Sequence, residues 1–211
     1  KGIIANPNCS TIQAMVPLKA LDDKYKIKRV VYSTYQAVSG SGVKGVEDLE
    51  KGMNGNPTGF YPHQISYNCL PHIDSFTENG YTKEEMKMVN ETMKILDNYD
   101  LKITATTVRV PVKNGHSESI NVEFNNPFEL DDLVKTLEEA PGVVVVDNPA
   151  KNEYPTAVEF DDRDEVFVGR IRRDFSVDNG VNLWVVADNI RKGAATNAIQ
   201  IAEMALSYDL V

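Results

Sequence analysis

The sequence has few cysteines, no long apolar run and little positive charge, and each shortage excludes a class of protein. Its two cysteines, Cys9 and Cys69, cannot form a disulfide framework, so we expect free thiols in a reducing, cytoplasmic compartment. The longest aliphatic run, 143–146, is far too short to span a bilayer. The formal net charge of −9 argues against a nucleic-acid or anionic membrane surface, since either needs a basic face.

The chain opens Lys1-Gly2-Ile3-Ile4-Ala5, without an initiator Met and with the character of a β-strand. We therefore expect part of a longer protein, in which residues 1–8 are the end of a strand from a preceding domain. No repeat, low-complexity tract or flexible linker interrupts the rest, so no internal boundary of that kind is predicted.

Apolar periodicity and turn residues predict an alternation of strands and helices. Thr82 is a good N-cap, with Glu84 and Glu85 in the first helical turn, where the helix dipole favours them. Asp178-Asn179-Gly180 predicts a hairpin. The predicted helices cover 10–25, 82–96, 127–139 and 193–208, the predicted strands 2–5, 29–37, 102–112, 119–124, 142–146, 166–172 and 182–187, and 52–62 is a predicted loop. The sum is an α+β domain whose mixed, largely antiparallel sheet is covered by helices.

Cys9 lies in Asn8-Cys9-Ser10-Thr11, where a predicted strand ends and a helix begins. Unpaired N–H groups and the helix dipole lower a thiol pKa at such a position, and the same groups could hold an oxyanion. We therefore expect a low-pKa nucleophile, although a cysteine that only happens to lie near a cap explains the residues equally well. Cys69, beside Leu70, is expected to be inert in apolar surroundings.

Three charged positions and one histidine allow both a functional and a structural interpretation. His116 could be a general acid and base for Cys9, or a solvent-exposed loop histidine. Arg109 lies in an apolar strand and needs an anion, either a bound carboxylate or a structural salt bridge. Glu84 and Lys87 share a helix face, and their spacing alone favours an ordinary surface pair.

Gln36 ends a predicted strand just before the turn Ser39-Gly40-Ser41-Gly42, where side chains often reach a ligand. The turn lacks the strand–helix context of a phosphate loop, so it is not a nucleotide fingerprint by itself. His63 and His72 have no Cys or His at metal-ligand spacing, and no metal site is predicted.

A series of colinear motifs resembles those of aspartate-semialdehyde dehydrogenases. The series spans nearly the whole chain, which makes it far more specific than any single motif. Its members are Ile4-Ala5-Asn6-Pro7-Asn8-Cys9-Ser10-Thr11, Tyr35-Gln36-Ala37-Val38-Ser39-Gly40-Ser41-Gly42, Glu84-x-x-Lys87, Val108-Arg109-Val110-Pro111-Val112 with Gly115-His116-Ser117-Glu118, Phe167-Val168-Gly169-Arg170-Ile171-Arg172, and Trp184-Val185-Val186-Ala187-Asp188-Asn189 with Lys192-Gly193-Ala194-Ala195. The resemblance implies a fold like the C-terminal domain of glyceraldehyde-3-phosphate-dehydrogenase-like enzymes.

The resemblance also implies catalytic roles. Cys9 matches the family's nucleophile, which attacks aspartyl phosphate to form a thioacyl-enzyme, and His116 matches its acid/base histidine. Gln36 matches a glutamine that orients the substrate beside the cysteine. The implied activity is an NADP-dependent aspartate-semialdehyde dehydrogenase of lysine, threonine and methionine biosynthesis.

For the substrate, Arg109 matches the arginine that binds the carboxylate, and Glu84 the acidic group near the amine. Lys87 matches a phosphate-binding lysine. An amino-dicarboxylate substrate needs one cation, one anion and one nucleophile, so these assignments agree with the chemistry of the residues themselves.

For the cofactor, Asn189 lies where the family's C-terminal segment approaches the nicotinamide of NADP, and we expect Ser39 and Gly40 beside it. The glycine-rich nucleotide loop of the family precedes the nucleophile and is not in this sequence. We therefore expect an incomplete NADP site and little turnover by this chain alone.

The resemblance further implies a catalytic and dimerisation domain over 1–190 and a C-terminal helix, 191–211, that packs on a nucleotide-binding domain. The expected assembly is a homodimer or a tetramer. Three alternatives stay open: a reductase of N-acetylglutamyl phosphate, a thiol hydrolase that needs no nicotinamide, and a non-catalytic dimerisation module.

Overall fold

The computed structural model describes residues 2–208, which form six strands, five α-helices and short connecting turns. The elements are α1 (Cys9–Tyr25), β1 (Ile27–Gln36), α2 (Val43–Met53), α3 (Lys83–Ile95), β2 (Lys102–Arg109), β3 (His116–Phe124), α4 (Leu130–Glu138), β4 (Val143–Val145), β5 (Val166–Asp174), β6 (Gly180–Ala187) and α5 (Thr196–Ser207). The sheet order is β2-β1-β3-β6-β5-β4. The β1–β2 and β4–β5 pairs are parallel and the other three are antiparallel, which confirms the predicted α+β fold.

Helices cover one face of the sheet. Along β1, Val30 and Tyr32 are fully buried, whereas Tyr35 on the opposite face is 38% exposed. The buried face packs against α1, α3 and α4, and their apolar side chains complete one core: Leu18 and Leu21 from α1, Met88 from α3, and Leu133 and Leu137 from α4. The other, open face keeps partly exposed side chains.

Local signals positioned two elements well. Thr82 forms a complete capping box with Glu85, so α3 begins where the sequence predicted. The β5–β6 hairpin also forms as predicted around Asn179. Helix α3 carries Glu84, and Arg109 is the last residue of β2. These two candidate side chains therefore lie at the same end of the sheet.

One predicted strand does not form, and one helix was not predicted. Residues 2–5 form no strand, because no described strand lies beside them to pair, and Ile3 is 99% exposed. Helix α2 was not predicted, and it runs past Gly52 into the predicted loop. Its buried Asp48 accepts hydrogen bonds from the backbone at 58–61, a tertiary contact with no local signal.

The last predicted helix forms, with one wide turn over Arg191–Ala195 before α5. Its apolar side chains Ile199, Met204 and Leu206 are mostly exposed. The docking of this helix on another domain stays a prediction. None of the described helices has the length and apolar character needed to cross a bilayer.

Candidate active site

Cys9 is the first residue of α1, one position before the predicted start of this helix, and follows the cap residue Asn8. The Asn8 Oδ1 accepts hydrogen bonds from the N–H groups of Ser10 at 3.0 Å and Thr11 at 3.3 Å. The helix start is thus stabilised by its own side-chain cap. These two N–H groups are occupied, so the expectation that the helix terminus holds an oxyanion is wrong for them.

The Cys9 thiol does not have the low pKa that the sequence predicted. Burial raises its pKa to about 12, and the negative charges of Glu84 and Glu118 act in the same direction. The Ser10 N–H and the Arg109 guanidinium lower the pKa of Cys9, but each has a smaller effect than burial. Desolvation outweighs the helix terminus here. Cys9 is therefore a protonated thiol, and its reaction as a nucleophile requires a proton acceptor.

Glu84 is the hub of polar contacts at the site. Its Oε1 accepts hydrogen bonds from Asn8 Nδ2 at 2.7 Å and Gln36 Nε2 at 3.3 Å. Its Oε2 lies 3.3 Å from Lys87 Nζ, and the Glu84 side chain is 8% exposed. The surface-pair interpretation of Glu84 and Lys87 is wrong, because one partner is buried and joined to the helix that begins at Cys9.

Gln36 and Lys87 contact different oxygens of the Glu84 carboxylate. Gln36, at the end of β1, also donates to Ser10 Oγ, and its own Oε1 is buried without a partner among residues 2–208. Lys87 is half-exposed and also contacts Asp74. Partial burial opposes the charge of Lys87, but the carboxylates of Glu84 and Asp74 keep its pKa above the usual value. Lys87 is therefore a fixed cation at the solvent side of the site.

Arg109 ends β2 and is 5% exposed. Its Nη1 donates to the Ala37 carbonyl at 2.7 Å, while Nε has no partner within residues 2–208. None of the ion pairs in that part of the chain includes Arg109, so the structural salt-bridge interpretation is wrong. Burial lowers its pKa, and the remaining donors suit a carboxylate ligand.

His116 is the first residue of β3 and fully buried, so the exposed-loop interpretation is wrong. Its Nδ1 accepts a hydrogen bond from the Ala37 N–H at 3.0 Å. The neutral imidazole therefore carries its proton on Nε2, which is buried and has no partner among residues 2–208. Burial and the charge of Arg109 lower the His116 pKa to about 3. His116 is thus a neutral hydrogen-bond donor.

Two glycines show how closely these groups approach one another. A Cβ added to Gly40 would lie 3.0 Å from Arg109 Nη1 and 3.3 Å from His116 Nε2. A Cβ added to Gly193 would lie 3.2 Å from the Cβ of Cys9. Arg109 also interacts electrostatically with Cys9. Side chains from α1, β2 and β3 therefore come together next to Gly40 and Gly193.

Asn189 joins the two turns that flank His116. Its Oδ1 accepts from the Gly115 N–H at 2.9 Å, and its Nδ2 donates to Ser39 Oγ at 3.0 Å. Both ends of the amide are engaged and the residue is 4% exposed. Asn189 and Ser39 therefore fit a supporting role at the rim, and the side-chain-free Gly40 leaves room for a flat ring to approach.

Three further observations concern what lies outside the site. Among residues 2–208, no group of three or more His, Cys, Asp or Glu side chains could hold a metal ion. Cys69 is exposed, so the expected apolar setting is wrong, and both cysteines are free thiols. A groove of about 640 Å³ lies on the open face, between Tyr35 and Trp184, and contains none of the candidate catalytic side chains.

Sequence reasoning missed several contributing groups. Asn8 could have been found, because Asn is a preferred helix cap. Ser10 and the Ala37 N–H gave no signal, since their partners lie on other elements. Glu118 is fully buried, and its sequence position did not predict this burial.

The chain is similar to known proteins over most or all of its length. The family model "Semialdehyde dehydrogenase, dimerisation domain" matches residues 18–192. An aspartate-semialdehyde dehydrogenase of Aquifex aeolicus is 55% identical over 100% of this chain and 64% of its own length. The crystal structure of aspartate semialdehyde dehydrogenase II of Vibrio cholerae, complexed with ASA, has a TM-score of 0.92 at 47% identity, over 97% of this chain and 62% of that one. A Candida albicans aspartate semialdehyde dehydrogenase with NADP has a TM-score of 0.76 at 30% identity, over 100% and 59%. The chain thus spans about three fifths of the length of these relatives.

Proposed function

The chain belongs to the semialdehyde dehydrogenase dimerisation-domain family, and we propose that it is the catalytic part of an NADP-dependent aspartate-semialdehyde dehydrogenase. The reaction is reductive dephosphorylation of L-aspartyl 4-phosphate to L-aspartate 4-semialdehyde, a cytoplasmic step in lysine, threonine and methionine biosynthesis. The observation that carries the proposal is the convergence of a thiol, a buried unpaired cation and a buried carboxylate: Cys9, Arg109 and Glu84.

These three groups complement the substrate. The Arg109 guanidinium binds the α-carboxylate, because its Nε has no protein partner within residues 2–208. Glu84 faces the free ammonium, and Lys87 beside it binds the phosphate. An N-acylated glutamyl phosphate has no ammonium to pair with Glu84, so the buried carboxylate favours the aspartyl substrate.

In the first chemical step, Cys9 Sγ bonds to the acyl carbon, its S–H bond and the acyl–oxygen bond to phosphate break, and the thiol proton leaves on the released phosphate. Gln36 and Asn8 hold Glu84, so the substrate amine and the thiol share one rigid frame. His116 donates its Nε2 proton in a hydrogen bond to the acyl oxygen, where negative charge develops. The Ala37 N–H stabilises this tautomer by occupying Nδ1.

NADP, when bound, would supply the hydride chemistry of the reaction at the carbon held by Cys9. The likeness to a Candida albicans structure with NADP supports this cofactor. Ser39 and Asn189 fix the turn in which Gly40 lies, and the missing side chain there leaves the approach to Cys9 and His116 open. These residues orient the ring and help to exclude water from the thioester.

The same proposal includes a homodimer formed through the open face of the sheet. The family model is a dimerisation domain, and the groove between Tyr35 and Trp184 gives that face partly exposed aromatic side chains. Aromatic residues are enriched in protein interfaces. Tyr35→Glu with Trp184→Glu should therefore yield monomers in light scattering, while the same changes at exposed Tyr67 and Phe175 should not.

An assay of a purified longer protein that includes this chain tests the activity. We expect NADP reduction that requires both aspartate semialdehyde and phosphate, is abolished by Cys9→Ser and is retained by Cys69→Ser. Preference for N-acetylglutamate semialdehyde would indicate the sibling reductase, and ester hydrolysis without NADP a thiol hydrolase. If a longer protein that includes this chain catalyses none of these three reactions, the non-catalytic dimerisation module is the remaining alternative. The 211-residue chain alone should dimerise with little turnover.

A further inference from the structure

Glu91 is a partly buried carboxylate of α3 that the proposed mechanism leaves without a role. It follows Glu84 by seven residues, about two helical turns, so both side chains project from the same face of the helix. Its Oε2 accepts a hydrogen bond from the backbone N–H of Asn8 at 2.8 Å, although 83 residues of sequence separate the two. No ion pair within residues 2–208 includes Glu91, and its hydrogen bond to Asn8 is therefore the contact that requires an explanation.

Asn8 is held through each polar atom that it carries. Its Nδ2 donates to Glu84 at 2.7 Å, its Oδ1 accepts from two N–H groups of α1, and its carbonyl accepts from a third. Glu91 binds the remaining group, the backbone N–H. Two carboxylates of α3 therefore hold one residue, one by its side chain and the other by its backbone. That residue directly precedes the nucleophile Cys9.

The substrate affects these two anchors differently. Both lone pairs of Glu84 Oε1 already accept hydrogen bonds, from Asn8 and Gln36, and Oε2 contacts Lys87. In the proposed function a substrate ammonium joins this carboxylate and competes with the protein donors. The side-chain anchor of Asn8 is therefore shared with the substrate. Glu91 lies about 10 Å farther along α3 and binds a backbone group, so its anchor is independent of the substrate.

We propose that Glu91 is a positioning residue, which keeps Asn8 and the Cys9 sulfur in place while Glu84 binds the substrate amine. The inference rests on the proposed function and deepens it. Glu91 acts through the backbone of Asn8 rather than on the reacting atoms, and Cys9 follows because it is the next residue. A displacement of about 1 Å at a reacting centre can lower a rate roughly 100-fold, so loss of this anchor should be measurable in turnover.

Contacts with the last helix hold the chain before α1 less firmly. Asn6 Nδ2 donates to the Ala194 carbonyl at 3.0 Å, and its Oδ1 accepts from Asn197 Nδ2 at 2.8 Å. Both contacts are exposed, where water competes for the same donors and acceptors. The bond from the Asn8 N–H to Glu91 is partly buried and has a charged acceptor, which makes it stronger than a bond between neutral groups. The chain before α1 is therefore fixed mainly by α3.

Steady-state kinetics of a longer protein that includes this chain test the proposal. Glu91→Ala removes the acceptor while alanine preserves the helix, so kcat should fall about tenfold and KM should change less than about twofold. Glu91→Gln keeps an acceptor oxygen and should restore kcat to within about threefold. Asn90→Ala changes an exposed neighbour on α3 and should have no effect. A normal kcat in Glu91→Ala, a raised KM with normal kcat, or equal losses in both Glu91 variants would overturn the proposal.

Amide hydrogen exchange at Asn8 in the same protein gives a second measurement, which needs neither substrate nor cofactor. The Asn8 N–H of the unchanged protein should be protected, its exchange should become about tenfold faster in Glu91→Ala, and Glu91→Gln should restore most of the protection. An Asn8 amide that exchanges freely in the unchanged protein would overturn the proposal, whether or not a variant folds. Because exchange does not require turnover, failure of the dehydrogenase assay tests the proposed function separately.

Discussion

Asn8 Nδ2 donates a 2.7 Å hydrogen bond to Glu84 Oε1 across 76 residues of sequence. The residue that caps the helix of Cys9 is thereby held by a carboxylate from α3. The same carboxylate raises the pKa of the Cys9 thiol. One side chain therefore both helps to position Cys9 and adds to the effect of burial on its thiol pKa.

Glu84→Gln should lower the pKa of Cys9, because it removes a negative charge that disfavours the thiolate. In a Cys69→Ser background, iodoacetamide at neutral pH should alkylate Cys9 faster, by about tenfold for each unit of decrease in pKa. Asp74→Asn, which alters the other carboxylate on Lys87, is the control and should leave the rate unchanged. An equal or slower rate in Glu84→Gln would mean that burial alone keeps Cys9 protonated.

Arg109→Lys should lower kcat/KM for aspartate semialdehyde by at least ~10-fold, about 1.4 kcal/mol of transition-state binding. An ammonium cannot reproduce the bidentate contact of a guanidinium with a carboxylate. Arg170→Lys changes an exposed arginine and should have little effect. Steady-state kinetics decide the matter, and a normal kcat/KM in Arg109→Lys would remove Arg109 from the substrate site.

Gly40→Ala should reduce turnover without loss of stability. The added methyl group would lie 3.0 Å from Arg109 Nη1 and 3.2 Å from His116 Cε1, so both side chains must shift by a few tenths of an ångström. Small misplacements at a reacting centre are costly, and we expect a decrease in kcat/KM of roughly tenfold. Ser41→Ala in the same turn is the control. Full activity together with an unchanged thermal midpoint would show that the turn shifts to accommodate the methyl group.

His116 should make stability depend on pH below neutrality. Its pKa is lowered from 6.5 to about 3 in the folded protein, so between these values the unfolded chain binds a proton that the folded chain does not. Stability should therefore fall as pH decreases from the upper value, by up to about 1.4 kcal/mol per pH unit. The free energy of urea unfolding should be measured for the unchanged protein and for His116→Gln. The other ionisable groups contribute equally to both proteins, so the difference between the two free energies isolates the effect of His116. The exposed variant His63→Gln should parallel the unchanged protein, and a pH-independent difference for His116→Gln would contradict a neutral buried imidazole.

Part of the fold could be predicted from the sequence because the signals for those elements are local. The capping box at Thr82 and the hairpin near Asn179 depend on residues within one turn of each other. The strand predicted over 2–5 failed because strand pairing needs a neighbour, which a local pattern cannot supply. Helix α2 depends on the burial of Asp48 against a loop ten residues away.

The identities and order of the candidate site residues were thus present in the sequence, but their ionisation states were decided by the tertiary structure. A helix N-terminus alone predicts an acidic thiol at Cys9, whereas desolvation and the charges of Glu84 and Glu118 make it a weak acid. The Ala37 N–H selects the tautomer of His116 from another strand. A pKa reflects every charge and dipole within several ångströms and the exclusion of water around the group. Those neighbours come from elements far apart in the chain, and only folding brings them together.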